Sequence, residues 1–112
     1  MIVKSVQDVP DEPVQTEGAK DTRVRWLITE KDGAPNFAMR LFEVGPGGHT
    51  PHHTHPFEHE VYVVEGTGMV VGAEGERPFK AGDVVFVPPD EVHQFRNTSS
   101  GVCKFLCLIP SQ

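Results

Sequence analysis

Apolar residues in this chain recur at every second position in short runs, and almost nowhere at helical spacing. The runs Ile2–Val6, Arg23–Thr29, Phe37–Val44, His59–Glu65, Met69–Val71, Val84–Val87, Val92–Arg96 and Val102–Ile109 alternate or are rich in β-branched and aromatic residues. Each is predicted as a strand. Turn-forming clusters separate them: Lys31-Asp32-Gly33, Gly45-Pro46-Gly47-Gly48, Glu65-Gly66-Thr67-Gly68, Lys80-Ala81-Gly82-Asp83, Pro88-Pro89-Asp90 and Asn97 to Gly101. Pro10 to Thr22 is polar, carries two prolines and is predicted as a loop or arm. Short strands at this spacing predict an all-β sandwich or small barrel. Residues 1–22 are expected to form an N-terminal strand and arm that touches a second subunit, and residues 23–112 one barrel domain.

A chain of 112 residues has room for one domain, and its eleven glycines and ten prolines fit many turns between short strands. The net charge of −6, with no cluster of Lys and Arg, argues against nucleic acid and anionic membranes as partners. No apolar run approaches the ~18 residues that span a bilayer. Met1 to Pro10 lacks a signal-peptide core, so a cytoplasmic protein is expected. Cys103 and Cys107 lie four residues apart in a predicted strand, about 13 Å at ~3.3 Å per residue. That is too far for a disulfide, which needs Cα atoms within ~7 Å, and free thiols fit a reducing compartment.

Five of the six histidines fall between His49 and His59, and the sixth is His93. His53 and His55 are two apart, so on an extended chain they share a face. His59 follows a short turn and opens a run in which Val61 and Val63 share its face. His93 comes from a distant segment. A site assembled from neighbouring and distant strands is what a barrel provides, and these four histidines are the candidate metal ligands. His52 should face away from them, and His49 sits in the glycine-rich turn, at most near the mouth of a pocket.

Two spaced motifs carry a family resemblance. Gly47-(x5)-His53-x-His55-(x3)-His59-(x6)-Gly66 resembles the first cupin motif, with histidine where most cupins place glutamate. Gly82-(x5)-Pro88-x-Asp90-(x2)-His93-(x3)-Asn97 resembles the second, with Asp90 in place of its usual glycine. The whole chain resembles the small bacterial stand-alone cupins with four-histidine sites. The resemblance implies a jelly-roll β-barrel (a double-stranded β-helix), a homodimer, and one divalent ion, with manganese or iron favoured. Imidazole ligands also suit Zn, Ni, Co and Cu. Glu60 competes with His59 for the third ligand position. Only His59 has both expected spacings, four after His55 and seven before Gly66, and alternation sends Glu60 and Tyr62 to the other face.

Four neutral imidazoles leave the ion its full charge, which favours anionic ligands, and in an octahedral site they leave two positions open. Arg40 lies inside an apolar strand. It is expected to form a salt bridge at the rim or dimer surface, with an anchor for a substrate carboxylate as the functional reading. Cys103, Phe105 and Cys107 share one face. They are expected to be core residues, but if that face points inward Phe105 and Cys107 wall a pocket, where Cys107 could be oxidisable. Arg40 and Cys107 are thus the catalytic candidates beyond the metal. Glu58 and Glu60, beside a turn, are expected to be solvated rather than an acid/base pair. The function expected is a metal-dependent oxidoreductase of dioxygenase type acting on a small organic molecule. The alternatives are a non-catalytic small-ligand-binding or sensing cupin and a Lewis-acid isomerase or lyase.

Overall fold

The alternation carries through into nine strands in a computed structural model that describes all 112 residues. They are β1 (Glu12–Pro13), β2 (Lys20–Ile28), β3 (Phe37–His49), β4 (His59–Glu65), β5 (Thr67–Gly72), β6 (Gly75–Lys80), β7 (Val84–Val87), β8 (Gln94–Arg96) and β9 (Cys103–Pro110). One sheet curls on itself in the order β6-β5-β8-β3-β9-β4-β7, with β2 added on β3 and β1 on β2. This is the expected all-β jelly roll.

β3 makes the curl. Its first part pairs with β9 from Phe37↔Pro110 to Val44↔Cys103, and its last residue, His49, pairs with Arg96 of β8. The predicted turn at Gly45 to Gly48 is therefore a bend inside one long strand. A Cβ on Gly48 would sit 2.6 Å from the carbonyl oxygen of Lys20, so only glycine fits there. Inward positions alternate strictly along β9, where Cys103, Phe105, Cys107 and Ile109 are buried. With Val44, Val61, Val63, Phe79, Val87 and Phe95 they form the core. Phe105 stacks on Phe42 at 5.4 Å and on Phe95 at 4.7 Å between centroids.

Three expectations are corrected. Ile2–Val6 is not a strand. Met1–Ser5 makes no pairing within the chain and leads into a 3-10 turn at Val6–Asp8. Ser5 accepts from the Gln7 N–H and Asp8 from the Ser5 N–H, local bonds that compete with a ladder. The stretch read as an arm is partly sheet: Glu12 and Pro13 pair with Val24 and Arg23, and β2 already starts at Lys20. Finally, β6 is absent from the predicted strands. It is an edge strand, polar except for Phe79 and interrupted by Pro78, which an edge tolerates.

Candidate metal centre and ligand pocket

Three stretches of backbone bring the four histidines together. His59 opens β4 opposite Val87 and is buried, on the same inward face as Val61 and Val63. His53 and His93 form an isolated antiparallel bridge: the His53 N–H donates to the His93 carbonyl at 3.2 Å, and the His93 N–H to the His53 carbonyl at 2.9 Å. His55 follows, and its carbonyl accepts from the Asp90 N–H at 2.7 Å. Asp90 has φ 69°, a left-handed conformation that glycine and aspartate adopt most readily, so it replaces the usual glycine at small cost. Asn97 ends the second motif as a buried pin. Its side chain donates to the carbonyls of Val44 and Gly101 and accepts from the Ser99 N–H.

Ring centroids lie 4.3 Å apart for His53–His55, 5.1 Å for His53–His93, 5.3 Å for His55–His59 and 4.7 Å for His59–His93. The Nδ1 of His93 is 2.9 Å from the Glu91 carbonyl, which can only accept, so Nδ1 carries the hydrogen and Nε2 keeps its lone pair. The Nδ1 of His59 is buried with no partner. As the side chains stand, no three His, Cys, Asp or Glu groups are focused to hold one ion. The donor set is nonetheless right for a transition metal: four imidazoles in one hollow, one with its tautomer fixed from behind and one with an orphaned nitrogen.

Burial is the main cause that holds His53 down at about 4 and His59 at about 3, with repulsion from the neighbouring imidazoles and Arg40 adding to it. His55 is lowered for the same reasons. The rings are therefore neutral at pH 7, the form that binds metal. A stability consequence follows from the sign. Below the ordinary value of 6.5 the unfolded chain takes up protons first, while the folded rings resist until about 4 and about 3. Stability that is full above pH 6.5 is lost progressively as the pH falls through the folded values. Thermal melts of chelator-treated protein between pH 7.5 and 4 should show a falling midpoint, and a flat profile would contradict this assignment.

Arg40 faces the same hollow. It has no carboxylate within salt-bridge distance, which corrects the expected salt bridge. Its Nη2 donates to Cys107 Sγ at 3.1 Å, its guanidinium carbon lies 5.3 Å from the Trp26 ring and 4.8 Å from Phe42, and its Nε is buried without a partner. Cys107 and Phe105 line the pocket, and both also belong to the core, so the two readings of that face hold together. Burial pushes the Cys107 thiol up against the opposing pull of Arg40, so it stays protonated, and Cys103 is pushed up to about 11. Both thiols are free.

The pocket has a volume of about 220 Å³ and brings together all four histidines, Arg40, Phe105 and Cys107. It also includes Phe42, Thr50, Pro51, Phe95, Val14 and Thr16. Phe42 is readable from its alternation with Arg40. Val14 and Thr16 reach the pocket only because the arm folds over it. A larger cleft of about 820 Å³ between β6 and β7 touches only His93 among the four, so chemistry and not size picks the site. His52 is exposed, and His49 bonds to Thr50 and Gln94 away from the pocket. Glu60 is exposed on the outer face, and Glu58 borders an outer groove with it.

Comparison with known proteins agrees with this fold. The cupin domain model matches residues 40–109. The chain belongs to the cupin family. This cupin is similar in structure to the polyketide cyclase RemF of Streptomyces resistomycificus, with a TM-score of 0.94 and 38% identity, over 100% of this chain and 80% of that one. It is 31% identical to the oxalate-binding protein of Thermotoga maritima, over 97% of this chain and 93% of the relative. It is 32% identical over 74 residues to the 1-methylthio-D-xylulose 5-phosphate methylsulfurylase of Rhodospirillum rubrum, of which it spans about half, 47%. No helix of the cupin is long and apolar enough to cross a membrane.

Proposed function

We propose that this cupin holds one divalent transition metal ion on His53, His55, His59 and His93 and uses it as a Lewis acid on a small oxyanionic ligand. The observation that carries the reading is a guanidinium without a counter-ion, facing four imidazoles in a pocket with no carboxylate in its wall. When bound, the ion would polarise the ligand's oxygens and, as Mn or Fe, could also exchange electrons. Small side-chain rotations would focus the rings. Arg40 orients the negative end of the ligand by paired N–H donors, with its plane braced by Trp26 and Phe42. Phe42, Phe95 and Phe105 exclude water beside it, which strengthens both attractions. The dioxygenase reading rests on the family resemblance. The names of two relatives, a polyketide cyclase and an oxalate-binding protein, favour non-oxidative use or plain binding. Two buried free thiols support a cytoplasmic location. Elemental analysis of protein purified without chelators tests the reading. One equivalent of a transition metal per chain supports it. A metal-free protein that takes up none of Mn²⁺, Fe²⁺ or Zn²⁺ overturns it.

The same reading makes the cupin a homodimer through the outer face of β2, β3, β9, β4 and β7. One cross-strand row on that face runs Leu41, Leu106, Tyr62 and Val84. Exposure is 75% for Val84, 59% for Phe86 and 48% for Tyr62, a patch that a monomer seldom leaves to water. The N-terminal segment borders it beside Leu27, Ile28 and Met39. Light scattering at micromolar concentration should give twice the chain mass for the wild type and a monomer for Val84→Asp. A monomeric wild type would refute the dimer.

A further inference from the structure

We infer that Cys107 is a positioning residue: its sulfur is the hydrogen-bond acceptor that aims the Arg40 guanidinium at the ligand, and it leaves the charge that attracts the ligand uncancelled. The inference rests on the pocket being an oxyanion site. Four strands set the pair. Trp26 of β2 lies opposite Arg40 of β3, Arg40 opposite Cys107 of β9, and Cys107 opposite Val61 of β4. Residues directly opposite in neighbouring antiparallel strands share a face, with Cβ atoms about 4.5–5.5 Å apart. Arg40 therefore has an indole on one side and a sulfur on the other. The sulfur has Arg40 on one side and, on the other, an apolar side chain that offers no donor.

The rings of Trp26 and Phe42, 5.3 Å and 4.8 Å from the guanidinium carbon, attract the cation through their faces. That attraction does not choose which N–H edge of the fork points into the pocket. The bond from Nη2 to Cys107 Sγ, at 3.1 Å, does choose it. It uses one of the arginine's N–H donors, while the buried Nε–H is left without a partner in the wall of the hollow. A bound oxyanion would satisfy that group. The acceptor's chemistry matters as much as its place. A carboxylate at this position would pair with Arg40 and take up the charge meant for a ligand. A thiol buried in apolar surroundings is neutral and a weak acceptor, so it directs the fork without neutralising it. A net hydrogen bond of this kind is worth a factor of about 2–10 in an equilibrium.

The single tryptophan, Trp26, lies beside Arg40 and reports occupancy by its fluorescence. The protein as purified is titrated with oxalate, alongside Cys107→Ala, which removes the acceptor, and Cys107→Ser, which keeps one. A urea titration of each variant checks folding, and Cys107→Val repeats the loss of the acceptor with the space filled. The alanine and valine variants should bind oxalate at least about fivefold more weakly than the wild type. The serine variant should bind it at least about threefold more tightly than the alanine variant. A cysteine that only packs would give no such split, because alanine and serine both disturb the packing. A smaller loss in the variants without an acceptor, or a serine variant as weak as the alanine one, would overturn the inference and leave the pocket reading in place. A double-mutant cycle shows whether the effect runs through the arginine. In an Arg40→Met background, Cys107→Ala should change oxalate affinity by less than about twofold. The same loss in both backgrounds would mean that the thiol acts without Arg40, and would overturn the inference. No oxalate binding by the wild type overturns the pocket reading and the inference with it.

Discussion

His59→Ala is expected to strip the metal from the protein, and Glu60→Ala to leave it in place. The two residues are neighbours on β4, yet they differ in face. His59 is buried against the other three imidazoles, and Glu60 lies exposed opposite Phe86 and Leu108. Loss of a partner outside the coordination shell already costs a metal site 10–100-fold, so loss of a ligand should weaken the ion by more than about 100-fold. Elemental analysis of both variants and the wild type decides the matter, with a urea titration of each to confirm folding. His59→Ala removes a buried ring whose Nδ1 has no partner, so the metal-free fold should tolerate it better than most core truncations. Metal retained in His59→Ala and lost in Glu60→Ala would reverse the ligand assignment.

That contrast is legible in the amino-acid sequence, because a period of two leaves no freedom: once His59 points inward, Glu60 cannot. The same rule placed Cys103, Phe105 and Cys107 on one buried face. Three features escaped it. Gly45 to Gly48 resembles a turn in composition, but its glycines permit a close backbone crossing that lets β3 pass between β9 and β8. β6 hides its strand character behind polar residues because one face of an edge strand is open to water. Val14 and Thr16 carry no sequence mark of a pocket residue. Their position depends on pairings with β2 that are remote in the chain and visible only once the arm is folded back. Arg40 lies between these cases. Its presence in an apolar strand signalled a special role, but whether a carboxylate or a ligand meets it is a matter of what the fold places opposite, and the fold places imidazoles there.

Arg40→Met is therefore expected to keep the metal and lose the anion. Removal of one member of a desolvated charge pair costs about 2–5 kcal/mol, so oxalate binding followed by Trp26 fluorescence should weaken by at least ~30-fold. Arg40→Lys should fall between, since it restores the charge without the paired, planar donors that Trp26 and Phe42 brace. The metal content should stay at the wild-type level, because Arg40 repels the charged form of the cluster and bonds none of its nitrogens. The same repulsion supplies a second readout. Arg40 helps to hold His53, His55 and His59 below their ordinary value, so in the metal-free Arg40→Met protein their NMR titrations should move upward, toward 6.5. A purely structural arginine would give a different pattern: lower thermal stability, histidine titrations unmoved and oxalate affinity within about twofold of wild type. That result would remove the anion from the proposed chemistry and leave a bare metal site.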